Sequence, residues 1–143
     1  MTGIKEALQE KDDKKAYALT KEIREKSSVS GEFYDCFDIF AELLPAKSSY
    51  VRARGFVLCC AQARWDEDGK LQKAMPAMLM LLHDEKPTVV RQCLNALQEV
   101  AVYRPELCGA IKAEIDTVDL SGYKDSMSPL IKKDIEELLK VMG

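Results

Sequence analysis

Shifted by 37 residues, this chain falls onto itself. Ala41 then meets Met78, Leu43 meets Met80 and Leu44 meets Leu81. Further on, Arg54 meets Arg91, Phe56 meets Cys93, Val57 meets Leu94 and Cys60 meets Leu97. A shift of 36 carries Leu71, Met75 and Leu79 onto Leu107, Ile111 and Ile115. The match is one of pattern rather than identity. That is the expectation when each unit is a helical hairpin that buries its apolar face only against its neighbours. At 143 residues the chain has room for about four such units in one domain, residues 1–143.

Apolar spacing predicts eight helices. The first runs from about Ile4 to Glu10. Asp12-Asp13 supplies an N-cap and an acidic first turn for the second, which reaches about Lys26 with a stripe of Ala16, Leu19 and Ile23. Ser30-Gly31-Glu32 opens the third, where Phe33, Phe37, Phe40, Ala41 and Leu44 share a face; Pro45 ends it. Ser48-Ser49 caps the fourth, which extends to about Trp65. It carries apolar residues on two sides, so it must be covered on two sides. The fifth, about Lys70 to His83, is almost wholly apolar from Ala74 onward and is expected to be central, with a kink at Pro76. Pro87 sits at the start of the sixth, which reaches Tyr103. Its apolar face is Val89, Val90, Cys93, Leu94, Leu97, Val100 and Ala101; Thr88, Gln92, Asn95 and Glu99 form a polar stripe. Pro105 starts the seventh. Residues 119–128 are irregular, and a last helix runs from about Pro129 to Met142.

Composition narrows the functional classes. Hydrophobic residues make up 47% and charged residues 31%, enough apolar mass for a core. A net charge of −3 gives no broad cationic footprint for phosphates. The longest apolar stretch, Ala74 to Leu82, is far short of the ~20 residues a membrane span needs. Met1-Thr2-Gly3-Ile4-Lys5-Glu6 carries no signal core. The five cysteines, Cys36, Cys59, Cys60, Cys93 and Cys108, lack paired CxxC spacing and sit among apolar residues. They read as buried, reduced thiols, which points to a cytoplasmic location.

The period and layout resemble HEAT repeats, of the armadillo-like class. Pro76 and Asp84 have the family's spacing between the proline of a first helix and the aspartate of the following turn. Val89-Val90-Arg91 looks like the opening of a second helix, with the arginine one place late. In the preceding unit Lys47 replaces the aspartate, although Val51, Arg52 and Arg54 are similar to the second-helix motif. The resemblance implies an all-α fold: a right-handed superhelical stack of about four antiparallel helix pairs, in which the aspartate and arginine tie successive repeats together. Residues 48–55, 65–68 and 86–93 also resemble a group of short bacterial HEAT-like proteins without assigned function. Some of these carry a label borrowed from iron–sulfur cluster assembly (SufBD). The assembly proteins resemble β-helices, whereas this sequence reads as helical throughout, so that label is not adopted.

Candidate sites are few. His83 is the only histidine and stands at a helix C-terminus, where a cation suits the helix dipole. It has no second histidine or close cysteine pair, so no metal site is expected, and a Cys–His pair through Cys93 or Cys108 is disfavoured. Asp66-Glu67-Asp68-Gly69 looks like the start of a calcium loop, but its twelfth position is Ala77, so it reads as a helix cap. Neither catalytic residue nor cofactor is assigned. The second helices of HEAT-like pairs line a concave face, which places Arg54, Leu58, Arg91 and Asn95 together as a candidate patch for a partner peptide or helix. The reading is therefore a non-catalytic protein-interaction scaffold. The alternative is a nucleic-acid-binding or alkyl-base DNA repair protein of the HEAT-like glycosylase type, using Trp65, Tyr50 and Tyr103 with the arginines.

Overall fold

The computed structural model describes residues 2–143; Met1, the first residue of the expected domain, lies outside them. The described residues form eight α-helices: α1 (Thr2–Leu8), α2 (Asp13–Ser27), α3 (Phe37–Glu42), α4 (Ser49–Ala61), α5 (Lys70–Leu79), α6 (Pro87–Tyr103), α7 (Cys108–Ile115) and α8 (Ser128–Met142). None is long and apolar enough to cross a membrane. The even-numbered helices make one row, in which α2 packs on α4, α4 on α6 and α6 on α8. On these lie α1, α3, the 3₁₀ turn that follows α5, and α7.

The caps are those the sequence encodes. The Asp12 carboxylate accepts from the backbone N–H groups of Lys14 and Lys15 at 3.1 and 3.4 Å, opening α2. The Ser48 hydroxyl accepts from Val51 N–H and opens α4. Pro87 occupies the first turn of α6, where a missing N–H costs nothing. Asp66 caps α5, accepting from the N–H groups of Lys70 at 2.9 Å and Leu71 at 3.1 Å, and it also accepts from the Tyr34 hydroxyl at 2.6 Å. This acidic loop thus serves as a cap. Gly69 beside it has φ of 73°, a left-handed turn that suits glycine.

Three sequence expectations need correction. The third helix does not run from residue 30: a 3₁₀ turn at Tyr34–Cys36 precedes a short α3. The fourth ends at Ala61 rather than Trp65, with Ala63–Trp65 in a separate 3₁₀ turn. The fifth is not central. It continues through Pro76 and tightens to a 3₁₀ turn at Met80–His83, burying Leu71, Met75, Met78 and Leu79 on one face, with Leu81 and Leu82 in the turn. Pro76 and Ala77 are exposed, and Met80 is 69% exposed. Much of any folded surface is apolar, so an apolar run need not be buried all round.

α4 is the buried centre. Ten of its thirteen residues are buried, and it touches α2, α3, α5 and α6. Phe56, Leu58 and Cys59 have no exposure and join Phe37, Phe40, Leu43, Leu94 and Leu97 in one continuous core. Its closest approach is at Gly55. A Cβ there would stand 2.7 Å from the Phe40 carbonyl oxygen and 2.8 Å from Leu43 Cβ.

Ion pairs tie the helices to one another. Arg52 of α4 donates to both oxygens of Asp84, at 2.9 and 3.2 Å, and to the carbonyls of Ala46 and Lys47. Asp84, the aspartate singled out by the resemblance, thus pairs with Arg52 of α4 rather than with Arg91 of α6. Arg91 reaches forward instead, to Asp134 of α8 at 2.7 Å.

Gly55→Ala is expected to destabilise the fold by about 1–3 kcal/mol, because α3 and α4 must part to admit a methyl group. A urea midpoint equal to the parent's would show that this contact yields without cost.

Candidate functional site

The row α2, α4 and α6 encloses an open groove of about 1050 Å³. These three helices run in the same direction. At one end Arg54 meets Asp13, and Arg52 meets Asp84. At the other, Gln62 donates to Ser27 Oγ, and Arg104 donates to Ala63 O. From Thr88 to Glu99 the α6 wall is about 16 Å long at 1.5 Å rise per residue.

The floor is Ala53, Val57 and Ala61 of α4, spaced by four and so stacked along one face. The α6 wall is the polar stripe Thr88, Gln92, Asn95 and Glu99. The α2 wall carries Tyr17, Thr20, Lys21 and Arg24, with Glu25 and Ser28 toward its end. Tyr50 stands at the mouth, 62% exposed, and Tyr17 is 59% exposed.

The four residues read from the sequence separate here. Arg54, Arg91 and Asn95 line the groove; Leu58 does not, being fully buried in the core. The groove face of α4 is centred on Val57, and Leu58 lies about 100° round the helix from it. Arg54 is 8% exposed, held by Leu8 O and by Asp13 Oδ1, both at 2.9 Å. Helices α1 and α2 thus cover the α4 arginine. Arg91 is paired with Asp134, and the Asn95 amide donates to Arg91 O at 2.7 Å. Reversing the charge of either arginine would break a helix-to-helix tie before it tested a partner.

Beyond Ser28 the groove is closed by a lock. Arg64 donates to Ser28 O and to the Tyr103 hydroxyl, with its guanidinium 4.6 Å from the Tyr103 ring centre and 5.8 Å from that of Trp65. The Trp65 indole N–H donates to Ser27 O at 2.7 Å. Arg64 and the Trp65 indole thus satisfy carbonyls left open where α2 ends. Trp65 and Tyr103 are therefore engaged within the fold.

The α2 wall and Glu99 were missed by sequence reading. The signal for the first was an aromatic residue, Tyr17, on the charged side of α2. For the second it was a carboxylate continuing a stripe of uncharged polar residues on α6. Glu99 is half-buried, and burial raises its carboxyl above the usual range, with Arg24 and Arg64 opposing through space. Among the described residues, none donates a hydrogen bond that would offset that burial. The lining holds four basic side chains, Lys21, Arg24, Arg54 and Arg91, against the acidic Asp13, Glu25 and Glu99.

Elsewhere, His83 Nε2 lies 2.6 Å from Glu114 Oε2, tying the turn after α5 to α7. Burial raises the thiols of Cys36, Cys59, Cys60 and Cys93, which favours the unreactive protonated form. Among the described residues, no cluster of three or more His, Cys, Asp or Glu side chains is placed to hold a metal ion. No protein-family model matches the chain, and neither the curated proteins nor the solved structures give a significant match.

Two outcomes follow. Leu58→Ala should cost about 2–5 kcal/mol in urea unfolding, as a core truncation does. Glu99→Gln should be more stable than the parent at pH 7, where the folded parent holds a desolvated charge. A carboxyl with a raised folded pKa regains stability as pH falls, so the advantage of the variant should vanish toward about pH 3. An advantage that grew on acidification would reverse the assignment.

Proposed function

We propose that this chain is a non-catalytic interaction module, a short HEAT-like stack that takes a peptide or helix of a partner protein in the groove between α2, α4 and α6. The observation that carries this reading is the groove itself, about 1050 Å³ of open space with an apolar floor and two exposed tyrosines. Tyrosine offers a large, rigid contact with a polar tip and is enriched where interfaces hold most of their energy. The row formed by α2, α4, α6 and α8, with the remaining helices laid on it, fits a stack of helix pairs.

A nucleic-acid or alkyl-base repair role has less support. Of the four basic groups in the groove, Arg54 and Arg91 are neutralised by Asp13 and Asp134. The Trp65 indole N–H and the Tyr103 hydroxyl are bound within the Arg64 lock. A phosphate chain needs several free cations, and base stacking needs free aromatic faces.

The test is the double variant Tyr17→Ala, Tyr50→Ala. Both side chains are mostly exposed, so the urea midpoint should stay within about 0.5 kcal/mol of the parent's stability. Partners co-purified from the native host and quantified by mass spectrometry should fall at least about tenfold. Recovery of the same partners at parental levels would remove the groove as the binding site.

A further inference from the structure

Glu99 stands apart from the other shielded acids of this protein. The carboxylates of Asp66, Asp84 and Asp134 all accept from donors placed for them: Tyr34 and two backbone N–H groups, Arg52 and Lys86 N–H, and Arg91. The fold thus supplies partners for the acids it shields. Glu99 is half-buried in the groove wall, its oxygens reach solvent, and among the described residues none donates to it. A half-buried carboxylate that no side chain pairs is left free to accept from a donor that a bound partner brings.

The opposite wall has the opposite sign. Lys21 and Arg24 of α2 are exposed and line the same groove. Arg24 acts on Glu99 through space, yet the two form no ion pair. Between them lies the narrow floor of Ala53, Val57 and Ala61, side chains small enough to admit a close-lying backbone. With Asp13 paired to Arg54 and Arg91 paired to Asp134, the charges left on the walls are Lys21, Arg24 and Glu25 on the α2 side, net positive, and Glu99 on the α6 side.

We infer that the groove's occupant is an amphipathic helix of a partner protein carrying a Lys or Arg that pairs with Glu99 on one flank and Asp or Glu facing Lys21 and Arg24 on the other. This rests on the groove being the partner site. A helix matches the dimensions: the α6 wall spans about three turns at 5.4 Å each. It also presents basic and acidic flanks at fixed angles around a small apolar edge, which an i, i+4 arrangement supplies directly. Opposed charge on the two walls fixes which way round the helix lies, because the reversed orientation sets like charges together.

A displayed library of helical 18-residue peptides, selected on the full chain, tests the idea. Enriched sequences should carry a basic residue on one flank and an acidic one on the other. Glu99→Gln should weaken them at least tenfold, and Glu99→Lys should prefer peptides in which the basic residue is exchanged for Glu. The free Glu99→Gln protein should keep a urea midpoint at or above the parent's. A lower midpoint means that Glu99 has an intramolecular partner, and the inference falls. Binders lost on Tyr17→Ala, Tyr50→Ala but indifferent to Glu99→Gln overturn this inference alone. If no binder depends on the tyrosines, the groove reading falls with it.

Discussion

The contact of α4 with α3 at Gly55 is the constraint on which the remaining structure depends. It lets α4 sink until ten of its residues are buried and its flanks lie against α2 and α6. Those flanks then become the floor of a groove whose walls are the neighbouring helices. With a larger residue at 55, α4 would ride higher on α3, and the three helices of the groove would lose their common seating. The position sets two effects against each other: the absence of a side chain weakens a helix by roughly 1 kcal/mol, and core packing around α4 offsets this.

Around that centre the arginines act as ties rather than as a display. Arg52 joins Asp84, Arg54 joins α1 and α2, Arg91 joins α8, and Arg64 with Arg104 fastens the C-terminal ends of α2, α4 and α6. Guanidinium suits this work because its planar donors satisfy a carboxylate and several carbonyls at once. What remains unspent in the groove is the pair of tyrosines, the α2 cations, Glu25 and Glu99. The groove's chemistry is therefore defined by what the fold has not already used.

Much of the architecture was legible in the sequence. The caps at Asp12, Ser48 and Asp66, the proline at the start of α6 and the inward face of α6 follow from local rules that tertiary structure did not override. The failures are also physical. The apolar run of α5 suggested a central helix, but apolarity states what can be buried, not what is. The third helix shortened because the Phe33 to Phe37 stretch satisfies its packing through a 3₁₀ turn, which turns side chains at a different pitch from an α-helix.

By itself, the sequence determined that this chain is helical, where most helices begin, and which residues supply the core, because capping and period are encoded within a few neighbouring positions. Only tertiary structure decided which way α4 turns. That rotation put Val57 rather than Leu58 on the groove floor and sent Arg54 to Asp13. It also brought α2 alongside as the third wall and left Glu99 half-buried beside Arg24 without an ion pair. These outcomes depend on the packing of residues tens of positions apart, which a single helix does not specify. A stripe on one helix can name its candidates, but a groove exists only when its neighbours are in place.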